Sequence, residues 1–356
     1  MPDRVHMEPY NHIPLPNYEV VPLRSEHIVV SAIQMRVDTI DCKNPKPEIN
    51  KRINHISLLI DLAQERIPVD LICLPEFSLQ GSSIRHWSRE DFLRLAIELP
   101  GEETERLGEK AKEYNCYIEV AAYTKNKDWP NHFFNCSFII GPNGNVIHHH
   151  WKAHMDPGGL EYATTVHDVL DQFVERYGWD AVWPVARTDI GNIATFICSE
   201  GFQQETARCF AFKGAEILIR SIAGGTTSGM PRVGNPRITM QAYCMANDVY
   251  GIYNNNAADS STTIHRVEFH GSGHTAIFDN VGRIMQEADS NQECVVTDTI
   301  PIGSYRKRHS IPAIRKEIYV RAYADYVGKY PPNLYSEYLP KDHIDGVNYA
   351  RRKARW

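Results

Sequence analysis

The sequence predicts an α/β fold in which two mixed β-sheets pack face to face, with helices on the outside. Short apolar runs typical of buried strands alternate along the chain with segments of helical periodicity, which is the order of elements in α/β proteins. Hairpin signals follow this alternation in both halves, so each sheet must also contain antiparallel strands. Because the two halves have similar content, we expect each half to form one sheet.

In the first half, the apolar run 28–35 predicts the first strand. Ile49, Ile53, Ile56 and Ile60 then recur at spacings of three and four, which places them on one face of an amphipathic helix. The turn sequence Gly-Pro-Asn-Gly joins the last two strands of this half as a hairpin. The further predicted elements are a strand in the run 69–77 that ends at Pro75, strands at 117–124, 133–140 and 145–152, and a helix at 102–114.

The second half contains elements of the same kinds. Its predicted strands are 192–199, 216–223, 251–257 and 293–300, its hairpin is 274–288, and its helices are 203–214 and about 238–247. The segment 155–183 has no clean period in its first half, and we interpret it as an insertion over a site. We predict one domain over 27–302, a proline-rich N-terminal arm over 1–26, and a C-terminal arm over 303–356. The arms are expected to make contacts in a homo-oligomer.

The composition is that of an ordinary globular protein, with 42% hydrophobic residues, 23% charged residues and a net charge of −6. This charge does not favour a nucleic-acid partner, and the basic stretch 350–356 is interpreted as a solvated end or an oligomer contact. The eight cysteines are scattered without a CxxC pair, which is typical of a reduced protein. With no signal-peptide pattern and no apolar run long enough for a membrane span, we expect a cytoplasmic protein.

Three reactive side chains come directly at or after the ends of predicted strands. Glu76 follows one buried run, Lys152 ends the next hairpin, and Cys198 ends a third strand just before a helix. Taken singly, each has an ordinary interpretation: a loop carboxylate, a surface lysine and a small core hydrophobe. Together they suggest one site, because reactive groups in α/β sheets gather at the carboxyl ends of strands.

The three groups would form a coherent thiol hydrolase. Cys198 would attack a carbonyl or nitrile carbon to form a thioester, and Glu76 would take the thiol proton and later activate water. The Lys152 ammonium and the backbone N–H of Ser199 would stabilise the oxyanion.

These stretches resemble the carbon–nitrogen hydrolase family, the nitrilase superfamily, from about residue 28 to 320. The stretch LICLPEFSLQG resembles the block with the family's glutamate, HHHWKAHM the lysine block, and FICSEGFQQE the cysteine block. The resemblance implies a nitrilase-like four-layer α-β-β-α sandwich and a Glu76, Lys152 and Cys198 triad that needs no cofactor and no metal. It also implies dimers or larger homo-oligomers.

Two features depart from the family's pattern. Gln204 stands where a proline usually precedes the glutamate of the cysteine block. The family often places a second glutamate shortly after the lysine, and Glu161 is the nearest candidate, nine positions on. We therefore name Glu161 as a possible second active-site carboxylate.

The cysteine block favours hydrolysis of a carboxamide to acid and ammonia, because Cys-x-acid-Gly resembles aliphatic amidases and formamidases. Hydrolysis of N-carbamoyl amides or of nitriles remains an alternative, and a non-catalytic scaffold is a remote one. The aromatic and histidine residues of the insertion are candidates for a pocket that takes a larger amide, or for a packed lid or subunit contact. They are His154, Tyr162, His167, Tyr177, Trp179 and Trp183.

A metal site would have to use the histidines at 148–150 with His154 and Asp156. On a strand, His148 and His150 point away from His149, and no HExxH-like spacing exists. The sequence therefore disfavours a metal enzyme. We expect a small-molecule amide as the partner, and no nucleic acid or membrane.

Overall fold

The computed structural model describes residues 18–155, 162–224, 236–258 and 271–356. Its α-helices are α1 (Pro45–Arg66), α2 (Arg89–Leu95), α3 (Glu102–Glu113), α4 (Leu170–Tyr177), α5 (Gln204–Phe212), α6 (Pro236–Asn247), α7 (Ile302–Arg306), α8 (Lys316–Asp325) and α9 (His343–Lys353). Its strands are β1 (Ile28–Gln34), β2 (Leu71–Cys73), β3 (Ile97–Glu98), β4 (Tyr117–Lys125), β5 (Phe134–Ile140), β6 (Val146–Trp151), β7 (Ala186–Thr188), β8 (Gly191–Ile197), β9 (Ile217–Ile222), β10 (Tyr250–Asn255), β11 (Ala276–Phe278), β12 (Ile284–Glu287) and β13 (Cys294–Ile300). Within these ranges, no helix is both long and apolar enough to cross a membrane.

The strands form two mixed sheets. The first sheet has the order β13-β1-β2-β4-β5-β6, with β3 paired to β4, and the second has the order β12-β11-β10-β9-β8-β7. Each sheet has three central parallel strands, so β1, β2 and β4 correspond to β8, β9 and β10. The strands beside them pair antiparallel, except the two-residue β3, which is parallel to β4. The last strand, β13, comes from the second half of the chain but pairs with β1.

Alternation along the strands builds the layers. In β1, Val30 and Ala32 belong to the core between the two sheets, while Ile33 packs on the other face among the residues of α1 and α3. In β8, Ile193 faces the core between the sheets and Phe196 packs against α5 and α6. The order of layers is thus helices, sheet, sheet, helices, which confirms the predicted four-layer α-β-β-α sandwich.

The strand before Glu76 ends just before Pro75, as predicted, but starts two residues later than predicted. It covers Leu71–Cys73, and Pro75 has no N–H with which to continue the ladder. Phe77 has a φ of 61°, in the left-handed region, so the chain turns sharply at this point. The turn leaves Glu76 just beyond the carboxyl end of β2.

Some elements were not anticipated, and several lie in the C-terminal region. Tyr305 and Arg306 of α7 are buried, and Leu334 and Tyr335 enter an aromatic cluster around Trp151. Much of the segment that the sequence analysis treats as an arm therefore packs on its own chain. Helix α8 differs, because it contains no buried residue.

Candidate active site

The Glu76 carboxylate lies at the carboxyl ends of strands from both sheets and is 1% exposed. Its Oε1 accepts a hydrogen bond of 2.8 Å from Asn135 Nδ2, which is on β5. Its Oε2 accepts one of 3.0 Å from the backbone N–H of Ala223, directly after β9. The carboxylate is thus held from the first sheet on one oxygen and from the second sheet on the other.

The Lys152 ammonium lies beside Glu76, with 3.4 Å between Lys152 Nζ and Glu76 Oε1. Lys152 directly follows β6, and its N–H donates to Asn135 O at 2.9 Å, which fixes the start of its loop to β5. The lysine is 3% exposed. A buried ammonium is tolerable only when it is paired and hydrogen-bonded, and Glu76 provides that pairing.

Cys198 begins a short 3₁₀ turn, Cys198–Phe202, directly after β8. Its φ of 46° lies in the left-handed region, which costs an L-residue other than glycine about 1 kcal/mol. The strand therefore ends abruptly at the cysteine, as the sequence position suggested. The Oγ of the next residue, Ser199, is buried and has no hydrogen-bond partner among the described residues.

The Cys198 thiol is electrostatically coupled to the other two groups. Burial, the negative charge of Glu76 and a side-chain hydrogen bond with Glu76 raise its pKa to about 12, while the charges of Lys152 and Arg220 act in the opposite direction. The raised pKa favours the neutral thiol over the thiolate. The Glu76 carboxylate lies within hydrogen-bond reach of this thiol.

Glu200 is a buried glutamate that was not predicted as a site residue. It connects the backbone next to Lys152 with the backbone next to Cys198. Glu200 accepts hydrogen bonds of 2.7 Å from the N–H of Ala153, next to Lys152, and from that of Ile197, next to Cys198. Burial alone would raise the pKa of Glu200, but the charge and hydrogen bond of His150 lower it. The carboxylate therefore remains ionised and fastens the two loops together. Its position two residues after the cysteine, within a buried turn, is the sequence signal.

Another buried carboxylate, that of Glu119 on β4, lies between the sheets. It accepts hydrogen bonds of 2.6 Å from Ser137 Oγ and 2.9 Å from Ser221 Oγ. Burial raises its pKa to about 7. Ser221 Oγ also lies 3.1 Å from Leu74 O, two residues before Glu76. Glu119 thus supports the strand ends that hold Glu76.

Most aromatic residues of the predicted insertion do not line this site. Tyr162 is buried, with its ring against Phe92 and its hydroxyl donating to the Trp87 carbonyl, and Tyr177 accepts a hydrogen bond from Trp129 Nε1. Trp179 is exposed. The described part of the insertion is therefore mainly a packed structure, which fits the interpretation as a packed lid or subunit contact better than that as a pocket.

Two candidates of the insertion lie near segments that flank the site, His154 against α5 and His167 against the loop that begins at Lys152. His154 Nε2 lies 3.1 Å from Thr206 Oγ1 on α5, and the His154 ring contacts Trp183 edge to face. His167 donates its N–H to Ala153 O at 2.8 Å. Glu161 lies outside the described residues, so its assignment as a second carboxylate stays a prediction.

The histidines at 148–150 are used structurally. His150 is paired with Glu200 at 3.0 Å, and His148 is buried, which lowers its pKa to about 3. Among the residues described, no group of three or more possible ligands could hold a metal ion.

Solved structures with the same fold belong to nitrilase-superfamily proteins and amidases. Nit3 of Saccharomyces cerevisiae, a member of branch 10 of the nitrilase superfamily, matches 84% of this chain and 99% of its own with a TM-score of 0.63 and 18% identity. A double mutant of the amidase from Nesterenkonia sp. AN1, in complex with acrylamide, matches 85% of this chain and 100% of its own with a TM-score of 0.60 and 15% identity. At such identities the likeness establishes the fold.

Sequence relatives are formamidases. That of Helicobacter acinonychis (strain Sheeba) is 29% identical over 204 residues, 57% of this chain and 55% of the relative. That of Bacillus cereus (strain B4264) is 32% identical over 187 residues, 51% of this chain and 50% of the relative. The chain thus matches about half the length of these curated relatives. The carbon-nitrogen hydrolase family model matches residues 29–310, most of the chain, and the protein therefore belongs to the carbon–nitrogen hydrolase family.

Proposed function

We propose that this protein hydrolyses small carboxamides to a carboxylic acid and ammonia through a thioester on Cys198. The observation that carries the proposal is the buried pair of Glu76 and Lys152, 3.4 Å apart, to which the Cys198 thiol is hydrogen-bonded and electrostatically coupled. A base, a cation and a nucleophile at one buried point are the groups that acyl transfer through a thiol requires.

In the first half of the reaction, Cys198 Sγ attacks the amide carbon while Glu76 takes the thiol proton. The carbonyl oxygen becomes an oxyanion, which the Lys152 ammonium and the Ser199 N–H stabilise. Glu76 then returns the proton to the nitrogen, so that the C–N bond breaks and ammonia leaves. The product is an acyl thioester on Cys198.

In the second half, water attacks the thioester. Glu76 takes a proton from the water, the same oxyanion donors stabilise the second tetrahedral intermediate, and the C–S bond breaks. The proton returns to the sulfur, and the carboxylic acid leaves. Glu161 is proposed as the carboxylate that keeps Glu76 oriented during both proton transfers.

The proposed substrate class is that of short amides, because both sequence relatives described above are named formamidases. We expect ammonia release from formamide and short aliphatic amides to exceed that from matched nitriles and N-carbamoyl amino acids by about 10-fold or more in kcat/KM. Ammonia release across the three classes, at equal carbon number, measures this. Faster turnover of a nitrile or carbamoyl compound than of its matched amide would contradict the choice.

We also propose that the protein is a homo-oligomer, as the sequence analysis expected. Helix α8 and the residues after it expose apolar side chains that no described part of the chain covers: Ile318, Tyr319, Val320, Tyr323, Tyr326 and Val327. Exposed apolar surface of this kind marks an interaction site. A second copy is the proposed occupant, since a two-fold interface uses one such patch twice.

Sedimentation is expected to give a mass at least twice the 40.7 kDa of the chain at micromolar concentration. The double variant Ile318→Asp and Val320→Asp should shift the equilibrium towards smaller species, because it places two charges in the apolar patch. Leu58→Asp, at a similarly exposed position of α1, is the matched control and should sediment like the wild type. A wild-type monomer at this concentration would contradict the proposal.

A further inference from the structure

Arg220 is a buried, positively charged residue of the second sheet. It lies in β9 and is 0% exposed, on the face of the strand that packs towards α6. Its hydrogen bonds to described residues all end on uncharged oxygens, those of Cys198, Pro236 and Thr239. Burying a guanidinium costs several kcal/mol unless its donors are well satisfied, so these contacts determine what the side chain stabilises.

The guanidinium donates twice to the carbonyl oxygen of the candidate nucleophile. Arg220 Nε lies 3.0 Å and Nη2 2.7 Å from Cys198 O. The remaining nitrogen, Nη1, donates to Pro236 O at 2.9 Å and Thr239 Oγ1 at 2.7 Å, at the start of α6. The planar guanidinium group of Arg220, called the fork below, therefore connects the cysteine to α6 in a fixed direction.

The turn around Cys198 is shaped to receive this guanidinium. A Cβ at Gly201 would lie 2.4 Å from Arg220 Cζ, far inside van der Waals contact. The ring of Phe202 lies 5.3 Å and that of Phe196 5.8 Å from the guanidinium carbon. A side chain at position 201 would push the fork away from the Cys198 carbonyl, so glycine is required here for close approach.

Fixing this carbonyl also fixes the N–H on the other side of the same peptide. In a trans peptide the C=O and N–H bonds point in opposite directions. With Cys198 O held by Arg220, the N–H of Ser199 must point away from Arg220. Cys198 has a left-handed φ. Its carbonyl therefore has few other directions available once β8 and the Arg220 guanidinium are in place. Donation to the carbonyl also polarises the peptide, which makes its N–H a stronger donor.

We infer that Arg220 is a positioning residue, which holds the Cys198–Ser199 peptide so that the Ser199 N–H forms the oxyanion site. The inference rests on the proposed amidase function, because that function assigns the N–H its role. Arg220 acts through the peptide and is not itself assigned a contact with substrate. Its charge has a second effect, since it lowers the pKa of the Cys198 thiol and partly offsets burial and Glu76.

The test compares Arg220→Lys with wild type. Lysine keeps a positive charge but cannot donate twice to one carbonyl while also holding α6, so the peptide loses its fixed direction. We expect kcat for a short amide to fall by about 10²-fold, as when one oxyanion donor is lost, with KM changed less than about threefold. Thr239→Val, which removes one anchor of the fork and keeps the arginine, should lower kcat severalfold.

Alkylation of Cys198 by iodoacetamide at fixed pH provides a readout that does not depend on amide turnover. Arg220→Met removes a charge that lowers the thiol pKa, so the thiolate fraction and the alkylation rate should fall, whereas Arg220→Lys should retain more of the rate. If wild type hydrolyses no amide, the proposed function fails, yet the alkylation rates still report on Arg220.

Arg306→Lys is the matched control. Arg306 is another buried arginine, with a forked ion pair to Glu216, and it makes no contact with the Cys198 turn among its described hydrogen bonds. Its variant should melt at a lower temperature and keep its kcat. The inference is overturned if Arg220→Lys keeps kcat within threefold of wild type, or if Arg306→Lys loses as much kcat as Arg220→Lys. If Arg220→Met does not fold, the Lys and Val variants decide the outcome.

Discussion

Replacement of Cys198 by alanine is expected to lower amide turnover by on the order of 10⁵-fold or more, since no acyl-enzyme can form without the sulfur. The fold should survive. The side chain loses one sulfur, the left-handed φ is no harder for alanine than for cysteine, and the Arg220 contacts to the backbone carbonyl remain. Ammonia release and a thermal melt on the same sample measure both expectations.

Cys209→Ala provides the control for this experiment. Cys209 lies on the next helix, α5, and is partly buried like Cys198, but none of the proposed steps uses it. The variant should keep wild-type turnover. In wild type, mass spectrometry after incubation with an amide should find an acyl adduct on Cys198. Retention of more than about 1% of turnover by the Cys198 variant would remove the nucleophile assignment, and a wild type without turnover or adduct would favour the scaffold alternative.

The order of strands and helices was predictable because the layers impose strong periods. The apolar side chains of β8 pack against one hydrophobic core on each face of the strand. The isoleucines of α1 lie along one side of the helix. Short elements carry no such period. Helix α2 has seven residues and strand β3 two, and they form because of contacts made elsewhere in the fold, such as Phe92 of α2 stacking on Phe133.

The candidate site was predictable only in part. Glu76, Lys152 and Cys198 could be named because each stands at a strand end, where a charged or reactive side chain in an apolar context is conspicuous. The groups that orient them come from elsewhere in the chain: Ala223 N–H reaches Glu76 across 147 positions. The clearest missed signal is Arg220, a charged residue in the middle of the buried run ILIRSI.

Replacement of Glu76 by glutamine should separate two consequences of one carboxylate. Amide turnover is expected to fall by about 10² to 10⁴-fold, because glutamine cannot take the thiol proton or return it to the leaving nitrogen. Alkylation of Cys198 at a fixed pH near 8 is expected to become faster. Glu76 raises the pKa of the thiol through its negative charge and its hydrogen bond, so its removal lowers that pKa and increases the thiolate fraction.

Lys152 should show a different combination of effects. Its charge lowers the pKa of the Cys198 thiol, so Lys152→Met should slow alkylation at the same pH, and it should lower amide turnover by about 10²-fold or more through the lost oxyanion contact. Two variants that both lose amide turnover would then move alkylation in opposite directions, which a general loss of structure cannot produce. Glu216→Gln, which breaks a buried ion pair with Arg306, controls for destabilisation and should leave both rates near wild type. If Glu76→Gln slowed alkylation as much as amide hydrolysis, the thiol would depend on Glu76 as a base in both reactions, and the opposing charges would not be what sets its reactivity.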